Sequence, residues 1–125
     1  MPNFTVTSLP PERIAEAYPL VRMARPELPL GDWVEEAKTR QQKGGVLTLL
    51  NPGGTIQALA TWEDQPETDA LKVETFVVFE LSRRGMARQA LCDGLQALAR
   101  ERGKTAVQFP LGSKGLLAQA PLDAA

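Results

Sequence analysis

The chain has 125 residues, enough for one hydrophobic core and short for two. Apolar residues make up 43% and charged residues 23%, which excludes a disordered chain. Fourteen Lys and Arg stand against 15 Asp and Glu, so no basic excess points to nucleic acid as the main partner. There is no histidine, which removes Ser-His-Asp and Cys-His catalysis, histidine-ligated zinc and histidine proton shuttles. A single cysteine, Cys92, forms no intrachain disulfide and no cysteine metal site, and suits a reducing cytoplasm. The N-terminus has no basic region followed by an apolar stretch, and no apolar run is long enough to cross a membrane. These features fit a cytoplasmic protein that handles a small molecule or a protein partner.

Residues 4–9 alternate apolar and polar side chains and predict a strand with Phe4 and Val6 on one face. Pro10 and Pro11 stop it, and Pro11 opens a helical segment with Glu12 in its first turn. Ile14, Ala17, Tyr18 and Val21 keep helical spacing, and Pro19 inside that pattern must kink or restart the helix. Residues 25–31 read as a loop. Asp32 reads as the N-cap of a second helix over residues 33–42, ended by Gly44 and Gly45. Strands follow at 46–50 and 55–62, joined by the turn sequence Asn51-Pro52-Gly53-Gly54 into an antiparallel hairpin.

Residues 71–79 form the next strand, and its last four, Phe76-Val77-Val78-Phe79, are apolar on both faces, the pattern of a covered central strand. The strongest helix runs over residues 86–102, with Ala87, Leu91, Leu95 and Leu98 as its apolar stripe and Gly103 closing it. A last strand is expected at 105–109. Residues 110–125 read as a tail, a short helix or a frayed end broken by Pro121. The order is β-α-α-β-β-β-α-β, an α/β (α+β) single domain over residues 1–125. Its final strand-helix-strand unit requires two parallel strands and a right-handed crossover.

Chemistry points to one segment. A buried strand ends at Phe79, the basic loop Ser82-Arg83-Arg84 follows, and a helix begins at Gly85-Met86-Ala87-Arg88. The first amides of a helix have no internal partner and carry the positive end of its dipole, a site suited to phosphate. Gly85 permits close backbone approach, Ala87 is small, and Arg83, Arg84 and Arg88 add positive charge.

Here the chain resembles the GNAT superfamily of N-acetyltransferases. Their acetyl-CoA loop reads [Gln/Arg]-x-x-Gly-x-[Gly/Ala]; the aligned residues are Ser82-Arg83-Arg84-Gly85-Met86-Ala87, with Ser82 departing from Gln/Arg. Tyr18-Pro19-Leu20-Val21-Arg22 and Ala24-Arg25-Pro26-Glu27-Leu28 look like the first-helix region of many bacterial members, and the resemblance covers residues 3–109. It implies a mixed central sheet whose fourth and fifth strands splay apart around acetyl-CoA. Phe76, Val77, Val78 and Phe79 would pair with the pantetheine arm, and the backbone from Arg84 through Gly85, Met86 and Ala87 to Arg88 would hold the pyrophosphate. Chemistry would be direct attack of an unidentified amine on the thioester.

The resemblance also implies pieces this chain lacks. The expected fold is truncated after the fifth strand, without the family's last helix and two strands. The general acid in many members is a Tyr on that helix, whereas the one tyrosine here is Tyr18, leaving Cys92, Ser113 or water. Glu74, read as sharing a face with Phe76 and Val78, is the candidate base, ahead of Glu63 and Asp64. Trp33 and Trp62 read as packing residues. A fifth strand with a bare outer edge predicts a homodimer through residues 105–109 or the tail.

Overall fold

The computed structural model describes residues 4–64, 67–79, 85–111 and 116–121. The chain begins with strand β1 (Thr5–Ser8), two single 3-10 turns (Pro11–Arg13 and Ala15–Ala17) and helix α1 (Tyr18–Ala24). Pro19 lies in the first turn of α1, where its missing N–H costs nothing, so the proline restarts the helix as its position requires. Helix α2 (Leu30–Lys43), strands β2 (Gly44–Leu50), β3 (Ile56–Asp64) and β4 (Ala70–Val78), helix α3 (Met86–Glu101) and strands β5 (Ala106–Leu111) and β6 (Leu116–Pro121) follow.

The six strands form one sheet in chain order, antiparallel throughout except for the parallel β4–β5 pair that α3 connects. The β2–β3 turn is closed by Asn51, whose Oδ1 accepts from the Gly53 and Thr55 amides at 2.9 and 3.1 Å.

Strand alternation divides the core into two layers. Leu47 and Leu49 of β2, Ala58, Ala60 and Trp62 of β3, and Leu71 and Val73 of β4 pack on Ala87, Leu91, Leu95 and Ala99 of α3. On the other face Val46, Leu59 and Val77 pack with Leu9, Ile14, Ala17, Leu20 and Val21 and with Trp33 and Ala37 of α2. Trp33 is fully buried and donates its indole N–H to the Ile14 carbonyl at 2.8 Å, a packing role as expected. Leu91 and Leu95 are fully buried, each contributing about 1.5–3 kcal/mol of apolar transfer.

Several expectations are corrected. Helix α2 begins at Leu30, capped by the extended Pro29, so Asp32 sits in the first turn and not at the cap. The proline supplies the break that a polar cap would have marked. Gly44 does cap the end of α2, as expected, but with extended backbone, and with Gly45 it opens β2 directly. A Cβ on Gly44 would lie 2.2 Å from the Trp62 carbonyl oxygen, and one on Gly45 would meet the Trp62 indole at 2.9 Å. Close strand approach, not a left-handed cap, selects these glycines. The buried stripe of α3 is completed by Ala99, while Leu98 is half-buried beside it.

The largest correction is β6. The tail was expected to carry no strand, and the fold to stop after the fifth. Instead Leu116–Pro121 pairs antiparallel with β5, from Leu111↔Leu116 to Ala106↔Pro121. Alanine is a weak strand former, and Pro121 is tolerated because it ends the strand. The return strand satisfies the outer backbone edge of β5, so the argument for a homodimer through that bare edge loses its premise.

Candidate active site

Strands β4 and β5 pair only at their first residues: Ala70↔Ala106, Leu71↔Val107 and Lys72↔Gln108. Beyond Lys72 the ladder ends, although β4 continues to Val78 and β5 to Leu111. A cleft therefore opens along the second half of β4, whose backbone remains paired with β3 on the other side.

The break coincides with a β-bulge. Thr61 of β3 faces Thr75 and Trp62 faces Val73, which leaves Glu74 as the extra residue. The Thr75 amide donates to the Thr61 hydroxyl at 2.9 Å, so a buried side chain substitutes for ladder bonding there. An extra residue shifts the alternation by one. Before the bulge, Leu71 and Val73 face α3; after it, Phe76 and Val78 pack on that same α3 layer, and Val77 packs on the opposite one. Glu74 therefore does not share a face with Phe76 and Val78. Its carboxylate meets Arg40 of α2, on the far side of the sheet.

The cleft side carries Phe76, whose ring meets that of Phe109 of β5 edge to face, centroids 5.5 Å apart. The Arg88 guanidinium lies 5.3 Å from the Phe76 centroid. Beyond Val78, the Phe79 amide donates to the Gln57 carbonyl at 2.9 Å and the Phe79 carbonyl accepts from Gln57 Nε2 at 3.0 Å. The Phe79 side chain is about half exposed.

Gly85, at φ +65°, is the N-cap of the 16-residue α3. Its left-handed conformation favours glycine. No side chain caps this helix and its first turn holds no acid, so the amides at its start face no competing carboxylate within the turn. The Ala87 methyl is buried against the sheet. Arg83 and Arg84 lie outside the described residues. Among the expected site residues the fold thus groups Phe76, Gly85, Met86, Ala87 and Arg88 along one strand end and one helix start. It turns Val77 into the opposite core layer.

On the α2 face, Glu74 pairs with Arg40 and lies 3.8 Å from Lys72. Arg40 Nε is 3.5 Å from Glu36, whose carboxylate receives both its closer contacts from Arg25 Nη1, at 2.7 and 2.8 Å. A cavity of about 260 Å³ beside this pair is lined by Thr39, Arg40, Gly44, Trp62, Glu63 and Glu74. Arg40 and Phe109 were not anticipated; only the topology brings them to β4.

Of the remaining candidates, Ser113 lies outside the described residues, Glu63 lines the cavity beside Glu74, and Asp64, Tyr18 and Cys92 make other contacts. Asp64 accepts from Lys104 at 2.9 Å and Arg102 at 3.2 Å, and the Lys104 contact foremost holds its carboxyl below the usual range. Arg102 also stacks 4.5 Å over Trp62. Tyr18 donates to the Leu28 carbonyl at 2.5 Å and pins α1 to the following loop. Cys92 is half-buried, and burial pushes its thiol up, away from reactive thiolate. Among the described residues no cluster of His, Cys, Asp and Glu suits a metal, and no helix is long and apolar enough to cross a membrane.

No protein-family model matches the chain, and no curated protein matches it in sequence. Solved structures do. The aminoglycoside N-acetyltransferase AAC(6')-Iy in complex with CoA superposes with a TM-score of 0.70 at 14% identity, over 86% of this chain and 76% of its own. A GNAT-family acetyltransferase from Staphylococcus aureus gives 0.68 at 9%, over 87% and 73%. The structure of yncA of Salmonella typhimurium with acetyl-CoA gives 0.67 at 16%, over 98% and 96%. The chain has the GNAT fold.

Proposed function

We propose that this chain transfers an acetyl group from acetyl-CoA to a primary amine. The observation that carries the reading is the parting of β4 from β5 after Lys72, with the uncapped start of α3 at the far end of the opened strand. A strand edge left without a ladder partner offers amide and carbonyl groups to a ligand that itself carries amides in a row, as the pantetheine arm does. The α3 amides from Met86 to Arg88 suit a pyrophosphate, and Arg88 adds a cation beside them. Similar folds solved with CoA and with acetyl-CoA support the same ligand.

Phe76 and Phe109 would line the arm, and Phe79 the strand exit. Arg83 and Arg84, next to Gly85 in sequence, would add positive charge. The bulge puts the Glu74 carboxylate on the opposite side of the sheet from Phe76, so cosubstrate and acceptor would approach β4 from different faces. Glu74 would take the proton from the amine.

Binding is tested first. Millimolar acetyl-CoA should raise the melting temperature, by an amount equivalent to about 2.7 kcal/mol at a hundredfold excess over its dissociation constant. Thiol release over a panel of amines then tests transfer. The absence of a thermal shift would overturn the reading. A shift without thiol release for any amine would favour a non-catalytic acetyl-CoA-binding protein, for which the pinned Tyr18 hydroxyl is the supporting observation.

A further inference from the structure

We infer that Arg40 is a positioning residue that occupies the acceptor's place on Glu74, and that the acceptor is an alkylamine arriving as its ammonium ion. The inference rests on the acetyltransfer reading above. Arg40 is largely buried, with 15% of its side chain exposed, and touches two carboxylates at once. Its contact with Glu74 is the close one; its contact with Glu36, one helical turn back on α2, is stretched to 3.5 Å. The stretch has a visible cause, because Arg25 already engages both oxygens of Glu36. Arg40 therefore has a second anchor within reach of its present one.

The neighbouring cavity is small, about 260 Å³, below the ~300–1,000 Å³ of drug-sized sites. It has room for a small amine. Its wall holds two carboxylates, Glu63 and Glu74, against the single guanidinium of Arg40. A cation entering this cavity competes with Arg40 for Glu74, and Arg40 falls back on Glu36. A neutral amine gains nothing from displacing a guanidinium.

The ammonium then gives one proton to Glu74 and becomes nucleophilic. Its nitrogen forms the amide bond to the acetyl carbon as the carbon–sulfur bond breaks. The second N–H proton leaves with the sulfur as free CoA thiol, and Glu74 returns its proton to solvent. Each turnover thus releases one proton, with no oxidant or further reactant required.

The test compares thiol-release kinetics for 1,4-diaminobutane and n-butylamine, both cationic at neutral pH, with aniline, which is not. Wild type should use the alkylamines and leave aniline at background. Arg40→Met should lower KM for the alkylamines about three- to fivefold, the scale a partly exposed ion pair exerts. Arg40→Lys should restore the wild-type KM. Glu36→Gln, which removes the fallback anchor, should raise KM in the opposite direction with kcat changed less. An unchanged or raised KM in Arg40→Met, or aniline used as well as butylamine, would overturn the inference. If Arg40→Met does not fold, the Glu36→Gln result decides alone: a raised alkylamine KM supports the inference and an unmoved one overturns it. Acetyl-CoA thermal shifts on each folded variant separate the two readings. A normal shift with unmoved amine KM defeats only the role of Arg40; no shift in wild type defeats the transferase reading itself.

Discussion

At Leu71 and Lys72, β4 is bonded to β3 on one side and β5 on the other; from Thr75 to Val78 only β3 remains. The first end is stitched by directional bonds. The Thr105 amide donates to the Asp69 carbonyl at 2.7 Å, Lys104 donates to the Thr68 carbonyl at 2.9 Å, and Asp64 receives Lys104 and Arg102. The second end is held across the gap by ring contacts among Phe76, Phe109 and Arg88. Apolar contact has no required direction, so this end can part around a ligand without breaking backbone bonds. A sheet that must admit a guest between two strands is clamped at one end and greased at the other.

The largest expected effect comes from breaking the clamped end. Gly44→Val forces a side chain into the Trp62 carbonyl and should cost about 3 kcal/mol in urea unfolding. Gly31→Ala, with open space around its Cβ position on a helix, should instead stabilise by about 0.5–1 kcal/mol. Equal costs at the two glycines would mean that the Trp62 carbonyl contact is not what selects Gly44.

Next is the open end. Gly85→Glu places a carboxylate where an anion is proposed to bind and strains a left-handed residue. The free protein should lose about 1–2 kcal/mol. The acetyl-CoA stabilisation, about 2.7 kcal/mol at a hundredfold excess, should vanish in the same thermal-shift titration.

Phe109→Ala removes half of the ring pair and should cost about 1.5 kcal/mol, below the usual range for a fully buried phenylalanine because this one is half-buried. Amide exchange should quicken along residues 76–78 and stay slow at Leu71 and Lys72. Uniform quickening would mean that the two ends open as one unit.

The smallest effect sharpens the clamped end by pH. The carboxyl of Asp64 is lowered in the folded state, so its stabilisation is present above the unfolded value near 3.9 and is lost as pH falls through the lower folded value. Asp64→Asn should therefore melt slightly earlier at pH 7, by less than about 1 kcal/mol, and the gap should narrow as pH falls below the unfolded value. A gap that does not narrow with acid would assign the effect to packing.

Much of this was legible in the residues. The apolar run at 46–50 and the turn sequence Asn51-Pro52-Gly53-Gly54 identified β2 and β3; Ala87, Leu91 and Leu95 identified α3 and its inner face. Gly85 was legible because a buried strand ended just before a strong helix began. The bulge was not. Nothing in Lys72-Val73-Glu74-Thr75-Phe76 distinguishes regular alternation from alternation interrupted once, because Thr75 is acceptable on either face. The misplacement of Glu74 follows from that ambiguity. Arg40 was hidden for another reason: a basic residue late in a helix is explained by the helix dipole alone, and only packing of α2 on the sheet brings it to β4. β6 was hidden by composition, since alanine and a proline argue against a strand that an unpaired neighbouring edge nevertheless recruits.

The extra residue at Glu74 behaves like a shift of reading frame in the strand. On one side of it the odd-numbered residues Leu71 and Val73 belong to the α3 layer; on the other side the even-numbered Phe76 and Val78 do. Deleting Glu74 would therefore remove the carboxylate and the frame shift together, leaving Leu71, Val73, Phe76 and Val78 on the α3 layer in one unbroken alternation, because Val73 and Thr75 already face the consecutive residues Trp62 and Thr61. A one-residue deletion in a regularly paired central strand turns every residue beyond it to the other face; at position 74 it is the length change that the strand should accommodate.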